Sequence, residues 1–201
     1  MAGTAGVILA AGAGSRFQAN GVAPHKLVAT LNGKPLLYWP VSAAAQAELD
    51  LLIVVCGAVP SGDLAWVVDM GVGDSMSSEK VVLVDNPRWA EGQSSSLQCA
   101  VTVAKHRGLD AIVVGLGDQP FTSTTTWSAV ARSQSPIAVA QYGARRQPPV
   151  RLDRSVWHLL PDEGDFGARH LFEQHPELVS AIVCKDNPVD IDTAEDLRRW
   201  N

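Results

Sequence analysis

Short apolar runs that alternate with helix-like stretches along the 201 residues predict an α/β fold with a mainly parallel sheet covered on both faces. Three observations carry this. The apolar runs have strand length, most of them stop at glycine or a turn cluster, and the intervening segments are long enough for crossover helices. No linker, internal repeat or low-complexity tract breaks the alternation, so residues 1–201 are expected to form one domain.

The elements follow in order. Residues 6–10 read as a buried strand running into a loop, 11–24, rich in Gly, Ala and Ser. A helix is predicted over 36–49, with Pro35 at an early position where its missing N–H costs nothing. Residues 51–55 form a second strand that stops at Gly57. A short helix over 64–70 and a flexible connection over 71–78 precede a third strand, 80–84, closed by Asp85-Asn86-Pro87. The stretch 94–106 is helical, with Ser94, Ser95 and Ser96 placed to cap free N–H groups. A fourth strand, 111–116, ends at Gly117-Asp118-Gln119-Pro120. Beyond it come a helix over 123–133 capped near Thr122, a strand over 137–141 and a basic, turn-rich segment, 142–150. Helices over 154–160 and 167–175, a last strand over 179–183 and a terminal helix through Arg199 complete the chain. In parallel sheets ligands bind outside the carboxyl ends of the strands. Here those ends carry Ala10-Ala11-Gly12, Gly57, Asn86-Pro87 and Gly117-Asp118.

Composition narrows the function classes. A hydrophobic fraction of 46% excludes a disordered chain, and no run reaches the roughly 18 apolar residues of a membrane span. The apolar opening, 7–11, lacks a basic region before it and reads as a strand rather than a signal peptide. Cys56, Cys99 and Cys184 match neither a disulfide framework nor a metal clip, which points to the cytoplasm. A net charge of −5 argues against nucleic-acid binding. That charge is unevenly placed. Residues 1–47 hold no Asp or Glu but carry Arg16, Lys26 and Lys34, with His25, so they are +3 and leave −8 for the rest. A basic, glycine-rich start on an acidic chain points to a local anion site.

Leu9-Ala10-Ala11-Gly12-Ala13-Gly14-Ser15-Arg16-Phe17 follows the first strand directly. Small residues let backbone approach a phosphate, Arg16 can chelate two oxygens, and Lys26 adds a point charge. An ordinary strand-to-helix turn with solvated Arg and Lys is the competing reading. Two familiar phosphate loops fail on spacing. The dinucleotide fingerprint needs a small residue where Phe17 stands and an acid about 20 residues on, and the first is Glu48. A Gly-x4-Gly-Lys-Ser/Thr loop is absent.

Leu9-Ala10-Ala11-Gly12 with Arg16, Phe17 and Lys26 resembles the signature of the MobA-like NTP transferases, nearest to the molybdenum cofactor cytidylyltransferases. Four further stretches are similar: 86–97, Leu116-Gly117-Asp118-Gln119-Pro120, Gly164-Asp165-Phe166-Gly167-Ala168-Arg169, and 189–197. The resemblance implies a single-domain, three-layer α/β/α Rossmann-like nucleotidyltransferase fold. It implies transfer of a nucleoside monophosphate to a phosphorylated acceptor, molybdopterin or molybdenum cofactor, with Mg²⁺ as cofactor and a molybdoenzyme or its chaperone as a further partner. It also implies nucleotide contacts from Leu9, Ala10, Ala11, Gly12, Gly14 and Ser15. Ser96, and less directly Ser95, would contact the base. Ala11, where guanylyl relatives carry glycine, implies CTP over GTP.

Asp118 follows an apolar strand and precedes Pro120, which suits a carboxylate holding Mg²⁺ against a triphosphate. Asp192 is the natural second ligand if the sheet brings the two strand ends together. The competing roles are a turn or cap for Asp118 and an N-cap for Asp192. Asp165 is a candidate acceptor contact or a cap for the helix near 167, and Asp190 is read as turn support. Where the cytidylyltransferases carry Gly-His-Pro-Val, this chain has Gln147-Pro148-Pro149-Val150 after Arg145-Arg146. The histidine is missing, so Arg145 is carried as an acceptor-binding candidate, with Arg146 beside it, against a solvated surface pair. The segment Gln18-Ala19-Asn20-Gly21-Val22 is longer than in the family and is expected to order on nucleotide binding. The alternatives are a different small phosphorylated acceptor, a non-catalytic nucleotide- or molybdenum-cofactor-binding protein, and a nicotinamide-dependent oxidoreductase, which the loop spacing disfavours.

Overall fold

The computed structural model describes residues 3–18, 25–165, 167–186 and 188–201. Positions 19–22 of the long loop and Phe166 therefore lie outside the described residues. In chain order the elements are β1 (Thr4–Leu9), α1 (Ser15–Gln18), β2 (Thr30–Leu31), β3 (Lys34–Pro35), α2 (Tyr38–Ala45), β4 (Leu51–Cys56), α3 (Ser61–Val72), β5 (Val81–Asp85) and α4 (Gln93–His106). They continue with β6 (Ala111–Leu116), α5 (Thr124–Ala131), β7 (Ile137–Tyr142), β8 (Arg145–Asp153), α6 (Arg169–Gln174), β9 (Val179–Val183) and α7 (Ala194–Trp200). Seven strands form one sheet in the order β5-β4-β1-β6-β8-β7-β9. Every pairing is parallel except the two made by β8, which runs against both β6 and β7.

Strand periodicity builds three layers. Ile8, Leu52, Val54 and Val113 face one core with Leu64 and Val67 of α3 and Trp127 of α5. Their neighbours Val7, Ile53, Val55, Ile112 and Val114 face the other core, with Leu97, Ala100 and Val101 of α4. Alternate residues of one strand thus supply both faces, as a sheet buried on both sides requires. A third cluster joins Phe17, Leu31 and Leu36 to Ile191, Ala194 and Leu197, and so ties the first loop to α7.

At Gly115 the sheet closes on Trp127, whose ring carbon would lie 2.5 Å from an added Cβ. Trp127 is 1% exposed and has no room to retreat. Gly115→Ala is therefore expected to destabilise the fold by about 1–3 kcal/mol, read as a lower denaturation midpoint in urea with unchanged slope.

Several elements differ from the sequence expectation. Pro35 sits in the small β2–β3 hairpin, not at a helix start, and α2 begins only at Tyr38. α3 runs to Val72 and absorbs the start of the expected flexible connection. α5 is capped by the Ser123 side chain, which accepts from the Thr126 N–H at 3.2 Å. The expected helix over 154–160 is a 3-10 turn, Arg154–Leu159. Residues 145–150 of the segment expected as turn belong to the strand β8, which runs on to Asp153. Its ladder shifts between Val139 and Ala140, which pair with Val150 and Gln147, so Pro148 and Pro149 occupy the bulge. Proline has no ladder N–H to give, and a bulge asks for none.

Candidate functional site

The carboxyl ends of β1, β4 and β6 meet at one edge, and the residues that follow them make the site. After β1 the loop is pinned to the end of β4. The Ala10 N–H donates to Val55 O at 2.9 Å, and Ala11 O accepts from the Ala58 N–H at 3.0 Å. Ala10 and Ala11 are buried, whereas Gly12, Ser15 and Arg16 are exposed. Phe17, fully buried, anchors the far end, and its N–H donates to Gly14 O at 2.9 Å. Among the described residues, the N–H groups of Ala11, Gly12 and Ala13 donate to no backbone carbonyl. Such N–H groups beside glycine form an anion-receptive concavity.

His25 holds this loop from below. Its Nε2 lies 3.1 Å from Gly12 O, and its Nδ1 accepts from the Leu27 N–H at 3.3 Å. A carbonyl can only accept, so Nε2 carries the proton and the ring is neutral. Burial pushes its pKa below the ordinary value and the Lys26 charge adds to that, against the hydrogen bonds to Gly12 and Ala13. Sequence reasoning counted His25 only among the basic residues of the opening stretch. Its role as a loop clamp depends on a contact 13 positions back, which composition does not reveal.

Four charged groups converge beside the loop. Lys26 Nζ donates to Asp118 Oδ2 at 2.5 Å and to Asp192 Oδ1 at 3.1 Å, and Arg16 donates to Asp192 Oδ2 at 3.2 Å. Burial alone would lower the Lys26 pKa, but the charges and hydrogen bonds of Asp118 and Asp192 raise it above the ordinary lysine value. The backbone sets this meeting. The Ile191 N–H donates to Asp118 O at 3.0 Å, which places the 190–192 segment against the turn after β6. Gln119 Nε2 donates to Asp190 Oδ1 at 2.8 Å and fixes the same join. Desolvation raises the Asp190 carboxyl above its ordinary range, with Asp118 and Asp192 adding to it, although part of the residue faces solvent. Asp192 is not the helix cap. Thr193 caps α7, with its side chain accepting from the Asp196 N–H and Asp196 accepting from the Thr193 N–H in return.

The opposite wall is the start of α4. Ser94, Ser95 and Ser96 lie inside this helix and are buried. The cap position is Gly92, which makes no side-chain bond, so the serines do not cap. Asn86 Nδ2 donates to Ser95 Oγ at 2.9 Å and Ser96 Oγ at 3.0 Å, and Asn86 Oδ1 accepts from the Arg88 N–H. Ser95 Oγ is further taken up by Arg88 O and Gly92 O. Gly92, at φ +109°, brings the helix start so close to Gly164 that a Cβ would lie 2.5 Å from its carbonyl oxygen. Asp165 does not cap α6, which begins at Arg169. Its Oδ1 instead accepts from the Gln93 N–H at the head of α4, at 3.3 Å.

Between these walls lies a cleft of about 790 Å³, within the range of small-ligand pockets. Of the sequence candidates, Leu9, Ala11, Gly12, Ser96, Asp118 and Asp165 line it. Arg16, Lys26 and Asp192 join through Asp118 at its end. Ser95 and Ala10 stand behind its walls, and Arg145 lines a separate depression with Arg146 and Arg169. Gly14 and Ser15 belong to the loop, but neither lines the cleft.

Among the described residues, no three His, Cys, Asp or Glu side chains are grouped as a metal cage. Two carboxylates sharing one ammonium fit a different arrangement, in which a divalent ion takes one or two carboxylates and completes its shell with phosphate oxygens and water. No helix among the described residues is long and apolar enough to cross a membrane.

Comparison with known proteins agrees with this layout. The family model described as MobA-like NTP transferase domain matches residues 6–179. The Bacillus subtilis purine catabolism protein PucB is 28% identical over 204 residues, covering 95% of this chain and 92% of PucB. The crystal structure of an Rv0371c homolog from Mycobacterium sp. strain JC1 superposes with a TM-score of 0.75 at 28% identity, covering 98% of this chain and 93% of the other. Rv0371c of Mycobacterium tuberculosis gives 0.77 at 25% identity, covering 99% and 97%, and has also been crystallised with manganese. The chain belongs to the MobA-like NTP transferase family, and family and fold together make it a nucleotidyltransferase.

Proposed function

We propose that the chain transfers a nucleoside monophosphate, CMP in preference to GMP, from an NTP to a phosphorylated acceptor, molybdopterin or molybdenum cofactor, with release of pyrophosphate. The observation that carries this reading is the convergence of Arg16, Lys26, Asp118 and Asp192 at one end of a cleft walled by the glycine loop and Ser96. The triphosphate would lie along the loop, with Arg16 and Lys26 on its oxygens. Ser96 and the Ala11 backbone would face the base. An acceptor phosphate is already anionic, so the reaction needs positioning and charge neutralisation rather than a strong base. A divalent ion, Mg²⁺ favoured, would be held by Asp118 and Asp192 and would supply charge neutralisation at the α-phosphate. For it to sit there, Lys26 must leave the two carboxylates and turn to phosphate.

The Bacillus subtilis relative is named for purine catabolism, and the same setting is proposed here, with a molybdoenzyme or its chaperone receiving the product. A ligand that binds only the native state raises its stability by mass action. In a thermal-shift screen with Mg²⁺, CTP is therefore expected to raise Tm more than GTP, ATP or UTP. A larger shift with GTP would reverse the base assignment, and a CTP shift without pyrophosphate release would favour a non-catalytic binder.

A further inference from the structure

Beyond the nucleotide cleft the trough continues. A second cavity of about 210 Å³ shares Leu9, Gln93 and Leu116 with the first, and its floor is apolar, formed by Leu97, Val114, Val150 and Phe172. It opens in turn onto a depression of about 600 Å³, with Arg146, Gln147, Arg169 and Phe172 common to both. The middle cavity is somewhat larger than the roughly 150 Å³ that holds one benzene ring. Gln119, Gln147 and the Asp190 carboxylate line it as well. The outer depression gathers Arg145, Arg146 and Arg169 against a single acid, Glu173. Arg169 lies 3.8 Å from that acid, whereas Arg145 and Arg146 have no carboxylate partner among the described residues.

We infer that the acceptor carries two separated anionic groups joined by a small planar body. The inference rests on the nucleotidyltransfer reading and assigns the far half of the same site. The reacting phosphate must lie near Asp118, at the first cavity. One of its oxygens forms the new bond to the α-phosphorus while the α–β bridging P–O bond breaks, and pyrophosphate leaves with that electron pair. None of Arg145, Arg146 and Arg169 lines that cavity. The arginines therefore serve a second anion at the other end, which their planar forks suit. The planar body between the two ends fills the middle cavity, against Leu97, Val114, Val150 and Phe172.

The test needs no knowledge of the natural acceptor. Two matched pairs serve as probes: phenyl phosphate with 4-carboxyphenyl phosphate, and biphenyl-4-yl phosphate with its 4′-carboxylate. Calorimetric titration in the presence of Mg²⁺ is expected to show a preference of about tenfold for the carboxylated member of at least one pair. The double variant Arg145→Ala, Arg146→Ala should reduce that preference below about twofold while its affinity for CTP stays that of the wild type. Equal affinity within both pairs, a preference that survives the double substitution, or no binding of any probe would overturn the inference. If CTP fails to bind while the preference appears and is lost as described, the nucleotide reading falls and the two-anion site stands.

Discussion

Asp118→Ala is expected to lower divalent-ion-dependent pyrophosphate release on the order of 10³-fold while leaving a folded protein. The size follows from two losses at once. The substitution removes one of the two carboxylates proposed to hold the ion, and it frees Lys26 to stay on Asp192, away from phosphate. The fold should survive because the join at this turn is made by backbone, from the Ile191 N–H to Asp118 O, and by the Gln119–Asp190 bond. Steady-state pyrophosphate release, with circular dichroism as the folding control, decides the matter. A variant within tenfold of wild-type turnover removes Asp118 from the mechanism.

Lys26→Met should cost about 2–4 kcal/mol in the transition state, roughly 10²–10³-fold in rate. It carries a second, less obvious consequence. With the ammonium gone, Asp118 has lost its ion pair and Asp192 keeps only the exposed Arg16, so Mg²⁺ or Mn²⁺ alone should raise the variant's Tm where it leaves the wild type nearly unchanged. The raised Lys26 pKa sharpens the contrast. The stabilisation from this ion pair is fully present below the ordinary lysine value of about 10.4 and is lost only as pH rises through the higher folded value. Neutral-range pH changes should thus leave the wild-type behaviour flat. A metal response in the wild type equal to that of Lys26→Met would show that the lysine does not occupy the ion's place.

Much of the scaffold could be read from the chain because its strands are buried on both faces. Residues 51–55 and 111–116 need little context to be recognised, since a continuous apolar run of that length bounded by glycine has few other uses. Asp118 was legible for the same reason, as a carboxylate at the carboxyl end of such a run. β8 was not. Two prolines and two arginines mask a strand whose prolines fall in its bulge, and only the partner strands reveal that. The serine run misled in the other direction. Ser94 to Ser96 have the composition of a cap but sit within the first turn of the helix, because Gly92 takes the cap position and Asn86 binds the Ser95 and Ser96 hydroxyls. The roles of His25 and Asn86 escaped notice because each acts through a neighbour that one sequence line cannot supply. Asp165 was found, but its helix was misassigned: it serves α4, 72 residues earlier, and not α6.

The reversed strand β8 divides labour within the sheet. Since β8 runs against β6, its leading residues rather than its trailing ones project past the carboxyl end of the neighbour, and the hairpin joining it to β7 is only Gly143-Ala144. Substitutions or insertions at that tip can alter what lies there without disturbing β1, β4 or β6, whose ends set the glycine loop. A lineage of such proteins is thereby free to exchange one half of its chemistry while inheriting the other unchanged.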